Sequence, residues 1–283
     1  MFDRKYLILF IGKHFIDPGF VTASREPLFE GIEALPYAPE TLGQTLAQIR
    51  SFSRKTIRVV LSEELVSVTS LSFPKETKIT RELVMRTTEE SIPEDLKATE
   101  WDFQTLHYRE THISETEVTV EVAVVAGVFA SNLKQAMQET KLTFECVIPE
   151  SCALAGLVSH FEGISLIVEA DRESTLFVAA EEGGVWATYV KSGACDMSDL
   201  QGFIEFLDTK KEKKAARIIL SRCTEEFAAS LSPLVAEGYE LFSDNLNPLI
   251  GVALQKKISG KDEAVLNLDM LRSTEKRGWR FWR

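Results

Sequence analysis

The stretch Ile164-Ser165-Leu166-Ile167-Val168-Glu169 lies past the middle of the chain. It starts a series of predicted strands and helices that repeats the series at the amino terminus. It is an apolar run of strand length, as is Tyr6–Ile11 (Tyr-Leu-Ile-Leu-Phe-Ile), and each run predicts a buried strand. After each run, strand-like and helix-like segments alternate in the order strands, helix, strand, helix. Because this alternation occurs twice, it predicts two related α/β lobes with mixed sheets.

The periodicity of apolar residues predicts the individual elements. In the first half, strands are expected at 6–11, 57–61, 66–73, 101–108, 118–128 and 144–148, and helices at 41–51, 80–91, 132–140 and 151–160. In the second half, strands are expected at 164–169, 174–180, 185–191, 217–220 and 240–242, and helices at 197–207, 225–237 and 248–255. Thr80 is a candidate N-cap, and the segment 181–184 is expected to form a hairpin turn.

The composition is that of an ordinary soluble globular protein. The 283 residues are 45% hydrophobic and 27% charged, with a formal net charge of −11. That length accommodates two lobes, and the negative charge argues against a nucleic-acid partner, because phosphate binding needs clustered cations. The four cysteines are scattered and none has a histidine beside it, so we expect buried reduced thiols and no metal site.

Targeting signals are absent from the sequence pattern at the amino terminus. The first apolar run is too short for a signal peptide, and no run approaches the ~20 residues of a membrane span. The globular part is therefore expected in the cytoplasm.

Several short motifs share the order found in one superfamily. A strand ending in Phe73-Pro74 precedes a helix, then Ser91–Leu96 (Ser-Ile-Pro-Glu-Asp-Leu) and Trp101–Leu106 (Trp-Asp-Phe-Gln-Thr-Leu). Val122–Ala126 follows, and Asn247-Pro248 with Ile250–Leu254 comes late. This order resembles the actin-like superfamily, and within it the FtsA cell-division group and the PilM proteins of type IV pilus assembly. The cytoplasmic domain of the type II secretion GspL proteins is similar in plan.

The resemblance implies an actin-like (ribonuclease H-like) two-lobe α/β fold with mixed sheets. The expected divisions are 5–63 for the first part of lobe 1, 64–147 for an inserted αβ subdomain, 148–162 for the closing helix of lobe 1, 163–257 for lobe 2, and 258–283 for a linker and tail. Few residues separate the strand ending at Gly193 from the strand at 217–220, so lobe 2 is expected to be trimmed.

The same resemblance locates three nucleotide loops, and each departs from the family pattern. Where the family has Asp-x-Gly, this chain has Phe10-Ile11-Gly12 followed by Lys13, and later Glu169-Ala170-Asp171. Where the family has Leu-Ser-Gly-Gly-Gly, it has Leu220–Thr224 (Leu-Ser-Arg-Cys-Thr), which brings in Ser221 and Arg222. The first loop keeps the glycine, but an aromatic replaces its carboxylate, and Lys13 could still meet a phosphate. In the other two loops, bulky or negative side chains replace glycines that let backbone N–H groups approach phosphate. The expectation is a degenerate nucleotide site with no catalytic residue, no metal and no cofactor, and ATP binding is the disfavoured alternative.

A short motif near the carboxyl terminus predicts a docking peptide. Leu266-Asn267-Leu268 resembles the Asn-Leu peptide at the start of PilN, the membrane partner of PilM, and the segment before the membrane helix of GspL. The resemblance implies that the partner-binding residues are Leu266, Asn267 and Leu268, and that Asn267 makes the specific hydrogen bonds. Asp269-Met270 departs from the family's Leu-Pro, and a plain amphipathic linker is the alternative.

The last eight residues combine four cations and three aromatics with no acid. Cations beside aromatic rings suit an anionic lipid headgroup layer. We therefore expect the tail to contact a membrane or to continue into one, and a frayed basic terminus is the alternative. The expected membrane-contact residues are Lys276, Arg277, Trp279, Arg280, Trp282 and Arg283.

The sequence thus predicts a non-enzymatic actin-like scaffold at the cytoplasmic face of the inner membrane, peripheral or anchored, in a type IV pilus or type II secretion-type platform. Its expected partners are a PilN-like membrane subunit and, more distantly, a cytoplasmic motor ATPase. Two rivals stay open. One is an active actin-superfamily ATPase or kinase-like protein, and the other is an FtsA-like polymer former.

Overall fold

A computed structural model describes residues 4–24, 27–52, 57–91, 100–170, 174–210, 214–254 and Leu268. Its first half contains, in chain order, β1 (Arg4–Ile11), β2 (Phe15–Ala23), β3 (Leu28–Gly31), β4 (Leu35–Pro36), α1 (Leu42–Phe52), β5 (Ile57–Leu61), β6 (Val66–Pro74), α2 (Arg81–Ser91), β7 (Trp101–Ile113), β8 (Glu117–Ala126), α3 (Gly127–Thr140), β9 (Phe144–Pro149) and α4 (Glu150–Leu157). Its second half contains β10 (Ile164–Ala170), β11 (Ser174–Glu181), β12 (Gly184–Ser192), α5 (Met197–Lys210), β13 (Ala215–Ser221), α6 (Glu225–Ser230), α7 (Ser232–Ala236), β14 (Glu240–Ser243) and α8 (Pro248–Leu254).

The first sheet has the strand order β3-β2-β1-β5-β9, with β4 beside β2. Strands β1, β5 and β9 run parallel, whereas β2 is antiparallel to β1. Helices α1 and α3 pack against each other, and buried side chains such as Leu46 and Leu133 belong to the core around this sheet. The parallel arrangement brings the carboxyl ends of β1, β5 and β9 to one edge of the sheet.

The second sheet has eight strands in the order β14-β13-β10-β11-β12-β6-β8-β7. Strands β6, β7 and β8 come from the predicted insertion, and β6 joins β12 through the pair Thr69 and Ala187. The insertion therefore extends the sheet of the second lobe. After Ala126 the chain returns to the first sheet, since α3 packs on α1 and β9 pairs with β5. The predicted subdomain boundary at residue 147 placed these two elements with the insertion instead.

A hairpin turn and a break between two helices show how local sequence determines the fold. Glu182 and Gly183 have φ angles of 51° and 81°, which is the geometry of a two-residue hairpin with a type I′ turn between β11 and β12. The helix predicted at 225–237 is divided into α6 and α7, because Pro233 lies in the first turn of α7 and cannot continue α6.

Between β12 and β13, the described residues contain one helix, α5, which agrees with a trimmed second lobe.

The described part of the chain contains no helix with the length and hydropathy needed to cross a membrane. Cys146 and Cys152 are buried, as predicted, whereas Cys195 and Cys223 are only partly buried, and all four are free thiols. Within the same described residues, no cluster of three metal-ligating side chains is found.

Candidate functional site

Polar residues lie at the carboxyl ends of the parallel strands of both sheets. In α/β sheets, this is the edge where ligands bind. On the first sheet, β1 leads to Gly12, β5 to Glu63, and β9 to Ser151 at the start of α4. On the second sheet, β10 contains Glu169 near its end, and β13 leads to Arg222. These positions include all three predicted nucleotide loops.

The first loop is held by contacts with aromatic residues. The Gly12 N–H donates to the carbonyl of Phe15 at 2.9 Å, and the Gly12 carbonyl accepts a 2.6 Å hydrogen bond from the Tyr37 hydroxyl. The ring of Phe15 stacks on that of Phe10, with centroids 5.9 Å apart. A Cβ on Gly12 would come within 2.8 Å of the Phe15 ring, so any larger residue here would require that ring to shift. Lys13 is exposed at the turn.

The second and third loops are joined by an ion pair. Glu169 is buried at 1% exposure, and the Arg222 guanidinium donates a hydrogen bond to its Oε1 atom. Arg222 has a φ of 56°, the left-handed conformation that glycine adopts most readily. The backbone therefore has a glycine-like geometry, while the side chain of Arg222 extends to Glu169. Asp171, the other predicted residue of the second loop, lies outside the described residues.

The remaining polar groups of the third loop also make internal hydrogen bonds. The Ser221 hydroxyl donates to the carbonyl of Leu246 at 3.3 Å, and the Cys223 thiol donates to the carbonyl of Val168 at 3.4 Å. Burial raises the pKa of Cys223 to about 11, so its thiol is protonated at neutral pH. This loop ties β10, β13 and the segment before α8 together.

Glu63 is a site residue that the sequence analysis missed. It lies two residues after the end of β5, and both the backbone N–H of Ser151 (3.0 Å) and the Ser151 hydroxyl donate to its Oε1 atom. Burial is the main cause that raises the pKa of Glu63 to about 8, against the opposing effect of the hydrogen bonds from Ser151 and Thr188. The signal in the sequence was a carboxylate two residues after a fully apolar strand end, Val59–Leu61.

Another buried carboxylate lies where the insertion meets the second lobe. Glu121 on β8 is fully buried and accepts from Arg109 at 2.5 Å and from the backbone N–H of Val185 at 2.8 Å. The thiol of Cys152 at the start of α4 is 3.9 Å from Glu121 Oε1. Burial and the nearby carboxylate raise the pKa of Cys152 well above its usual value, which makes it a poor nucleophile at neutral pH. This network joins β7, β8 and β12, with the start of α4 beside it.

Leu268 is the one predicted partner-binding residue that the structure describes. Its side chain is fully buried in the core of the first lobe, and its backbone N–H donates to the carbonyl of Val147 on β9 at 2.8 Å. Leu266 and Asn267 lie outside the described residues, as do the predicted membrane-contact residues Lys276, Arg277, Trp279, Arg280, Trp282 and Arg283.

The whole arrangement is similar to many solved structures, among them three with low sequence identity. A PilM-PilN type IV pilus biogenesis complex matches with a TM-score of 0.60 and 16% identity, over 88% of this chain and 90% of that chain. A Bacteroides thetaiotaomicron protein with an actin-like ATPase fold matches with a TM-score of 0.55 and 9% identity, over 89% and 96%. The chain has an actin-like fold.

A third similar structure comes from a protein secretion system. The cytoplasmic domain of EpsL, an inner-membrane component of the type II secretion system of Vibrio cholerae, matches with a TM-score of 0.54 and 13% identity, over 92% of this chain and 98% of that domain. These likenesses confirm the predicted fold class and the predicted structural resemblance to PilM and GspL. Neither the protein-family models nor the curated protein sequences give a match.

Proposed function

We propose that this actin-like chain is a scaffold without catalytic activity in an inner-membrane assembly platform of the type IV pilus or type II secretion kind. The observation that carries the proposal is the ion pair between Glu169 and Arg222. It joins the second and third loops through protein side chains, at the strand ends where a nucleotide would otherwise join them. A shared fold with the PilM-PilN complex over 88% of the chain adds support for the pilus or secretion setting.

The other loops support a degenerate nucleotide site. A phosphate needs backbone N–H groups that point outward, yet the N–H of Gly12 already donates within its own turn. The buried Glu169 is matched by Arg222, so any repulsion of a phosphate at the second loop would come from Asp171. Both Cys223 and Ser221 make their hydrogen bonds inside the protein. We therefore expect no cofactor in this cleft.

The proposed partner is a PilN-like membrane subunit that is recognised through a short Asn-Leu peptide. Leu266, Asn267 and Leu268 are the residues of this chain that carry such a motif, and the burial of Leu268 supports an apolar docking position beside β9. The basic and aromatic tail would place the protein at the cytoplasmic face of the inner membrane. A cytoplasmic motor ATPase is the second proposed partner.

One observation favours the rival function, an active nucleotide-binding protein. Lys13 is exposed directly after Gly12, at the tip of the β1–β2 hairpin, and an ammonium there would suit a phosphate. This is the only cation of the first loop.

Calorimetry with ATP and Mg²⁺ separates the two functions. The scaffold proposal predicts no binding heat and no thermal shift at millimolar ATP. Micromolar binding that is lost in Lys13→Ala and retained in the control Lys75→Ala, an exposed turn lysine, would establish the rival instead. In the native host, deletion of the gene is expected to abolish pilus assembly or protein export, and rescue by Lys13→Ala as effectively as by the unaltered gene would exclude a catalytic role for that loop.

A further inference from the structure

Two partly buried thiols lie at the carboxyl ends of strands of the second sheet. Cys223 follows β13 in the third nucleotide loop, and its thiol donates to the carbonyl of Val168 on β10 at 3.4 Å. Cys195 lies in the loop between β12 and α5, and both side chains pack against the buried core of the second lobe. A whole helix and strand, α5 and β13, separate the two cysteines in the sequence, so only the fold brings them to one place.

The contacts of the two thiols meet across one pair of strands. Cys195 has a hydrogen bond with the Thr175 side chain, and Cys223 has one with the Ala170 backbone. Ala170 and Thr175 are register partners in the antiparallel pair of β10 and β11, where the Cα atoms of opposite residues are roughly 4.5–5.5 Å apart. The Thr175 hydroxyl also donates to the carbonyl of Gly193 at 3.0 Å, which holds the loop of Cys195 against β11. The two thiols are therefore held over neighbouring residues.

The ionisation of one thiol affects that of the other. Burial is the main cause that raises the pKa of Cys223 to about 11, and the charge of Cys195 is the next. Because the interaction between charges falls with distance, this effect agrees with a short separation. Burial also raises the pKa of Cys195, against the opposing effect of the hydrogen bond with Thr175. A reaction that needs a thiolate is therefore slow at neutral pH and faster in mild alkali.

Access to solvent distinguishes this pair from the other two cysteines. Cys146 and Cys152 have no exposed surface, whereas Cys195 and Cys223 keep part of theirs. A disulfide needs its two Cα atoms about 4.4–6.8 Å apart. Both Cys195 and Cys223 lie in loops, so the loops can adjust to that distance while the sheet stays in place.

We infer that Cys195 and Cys223 are a reversible redox pair that closes to a disulfide. The oxidant is a low-molecular-weight disulfide such as oxidised glutathione. The thiolate of one cysteine attacks this disulfide, forms a mixed disulfide and releases one glutathione thiolate, and the other cysteine then displaces the second glutathione. The two cysteines together lose two protons and two electrons, which the two glutathione molecules gain. The inference goes beyond the proposed scaffold function and does not depend on it.

The disulfide fixes the third nucleotide loop. Cys223 is next to Arg222, whose guanidinium pairs with Glu169. A bond from Cys223 to Cys195 ties this loop to the segment before α5, across β10 and β11, and so holds Arg222 near its partner. Oxidation is therefore expected to restrict opening of the loop.

The test incubates the full chain with oxidised glutathione at pH 8.5 and maps its disulfides by mass spectrometry without reduction. We expect one internal bond, between Cys195 and Cys223, with Cys146 and Cys152 still reduced. The variants Cys195→Ser and Cys223→Ser should each stop at a mixed disulfide with glutathione. The control Cys146→Ala, at a buried cysteine, should form the same internal bond as the unaltered chain.

Hydrogen exchange then tests the effect on the loop. The amides of residues 222–224 should exchange at least about tenfold more slowly in the oxidised chain than in the reduced chain, and dithiothreitol should reverse the change. Glutathione adducts that persist on both cysteines of the unaltered chain, a different pairing, a bond between two chains, or equal exchange in the two forms would each overturn the inference. The map of the unaltered chain decides the pairing even where a serine variant fails to fold.

Discussion

At the scale of single residues, Glu63 is the buried acid whose protonation should affect stability most clearly. Its folded-state pKa of about 8 lies above the value of 4.5 for an exposed glutamate, so the folded chain binds more protons than the unfolded chain between these two pH values. The stabilisation that this proton provides is complete below pH 4.5. It is lost as the pH rises through about 8.

Glu63→Gln should remove this pH dependence, because the amide has no acidic proton and still offers Oε1 to Ser151. Between pH 5 and pH 9, the unaltered chain should lose on the order of 2–4 kcal/mol of unfolding free energy relative to the variant. Urea unfolding at both pH values measures the difference. The control Glu76→Gln, an exposed turn residue, should follow the unaltered chain, and a Glu63→Gln curve parallel to it would show that Glu63 titrates as an exposed acid.

The nucleotide loops show how far the sequence could predict a site. The substitutions at Gly12–Lys13, Glu169–Asp171 and Ser221–Arg222 were visible by comparison with the family pattern. The salt bridge was not, because Glu169 and Arg222 are 53 positions apart and meet only when β10 and β13 pair. Glu63 was missed because a single acid after a strand matches no known sequence motif. Its raised pKa comes from burial by α4 and β12, which exists only in the folded chain.

At the scale of elements, close packing between α4 and α8 depends on Gly251. A Cβ added at this position would lie 2.3 Å from the carbonyl oxygen of Ala153, and a backbone atom cannot move aside as a flexible side chain can. Gly202 in α5 is the natural contrast, because nothing lies within 4 Å of the Cβ that it lacks. Both glycines are helical, so intrinsic helix propensity affects them equally.

Gly251→Ala should destabilise the chain by about 2 kcal/mol or more, since overpacking outweighs the gain in helix propensity. Gly202→Ala should instead be neutral or stabilise by up to about 1 kcal/mol. Thermal or urea unfolding of the two variants measures the contrast. If both alanines raised stability, the close approach of α8 to α4 would be disproved.

Most elements were predicted from periodicity, and the misses have local causes. Strand β2 was not predicted, because Asp17, Pro18 and Gly19 interrupt its alternation and its pairing partner β1 had to hold it in register. The division of α6 from α7 follows from Pro233, which the apolar spacing alone did not weigh.

At the scale of the whole molecule, two lobes could be predicted but their joining could not. The link between the insertion and the second lobe is one register pair, Thr69 with Ala187, supported by the Thr188 hydroxyl donating to the carbonyl of Val68 at 3.0 Å. Such long-range contacts leave no periodic trace in a single sequence. The buried network of Glu121, Arg109 and Val185 fixes the same junction.

The charge distribution of the whole chain makes a membrane test decisive. The formal net charge is −11, and the final eight residues carry four cations and no acid, so the chain without them has a charge of −15. Anionic lipid should therefore repel the globular part and attract the tail. The full chain should sediment with vesicles that contain 30% phosphatidylserine, at least about fivefold more than a chain ending at residue 275, and the difference should shrink at ~0.5 M salt. A variant with Trp279, Phe281 and Trp282 changed to Ser keeps every charge, so it separates insertion of the rings from attraction between charges. Equal sedimentation of the full chain and the chain ending at residue 275 would exclude membrane contact by the tail.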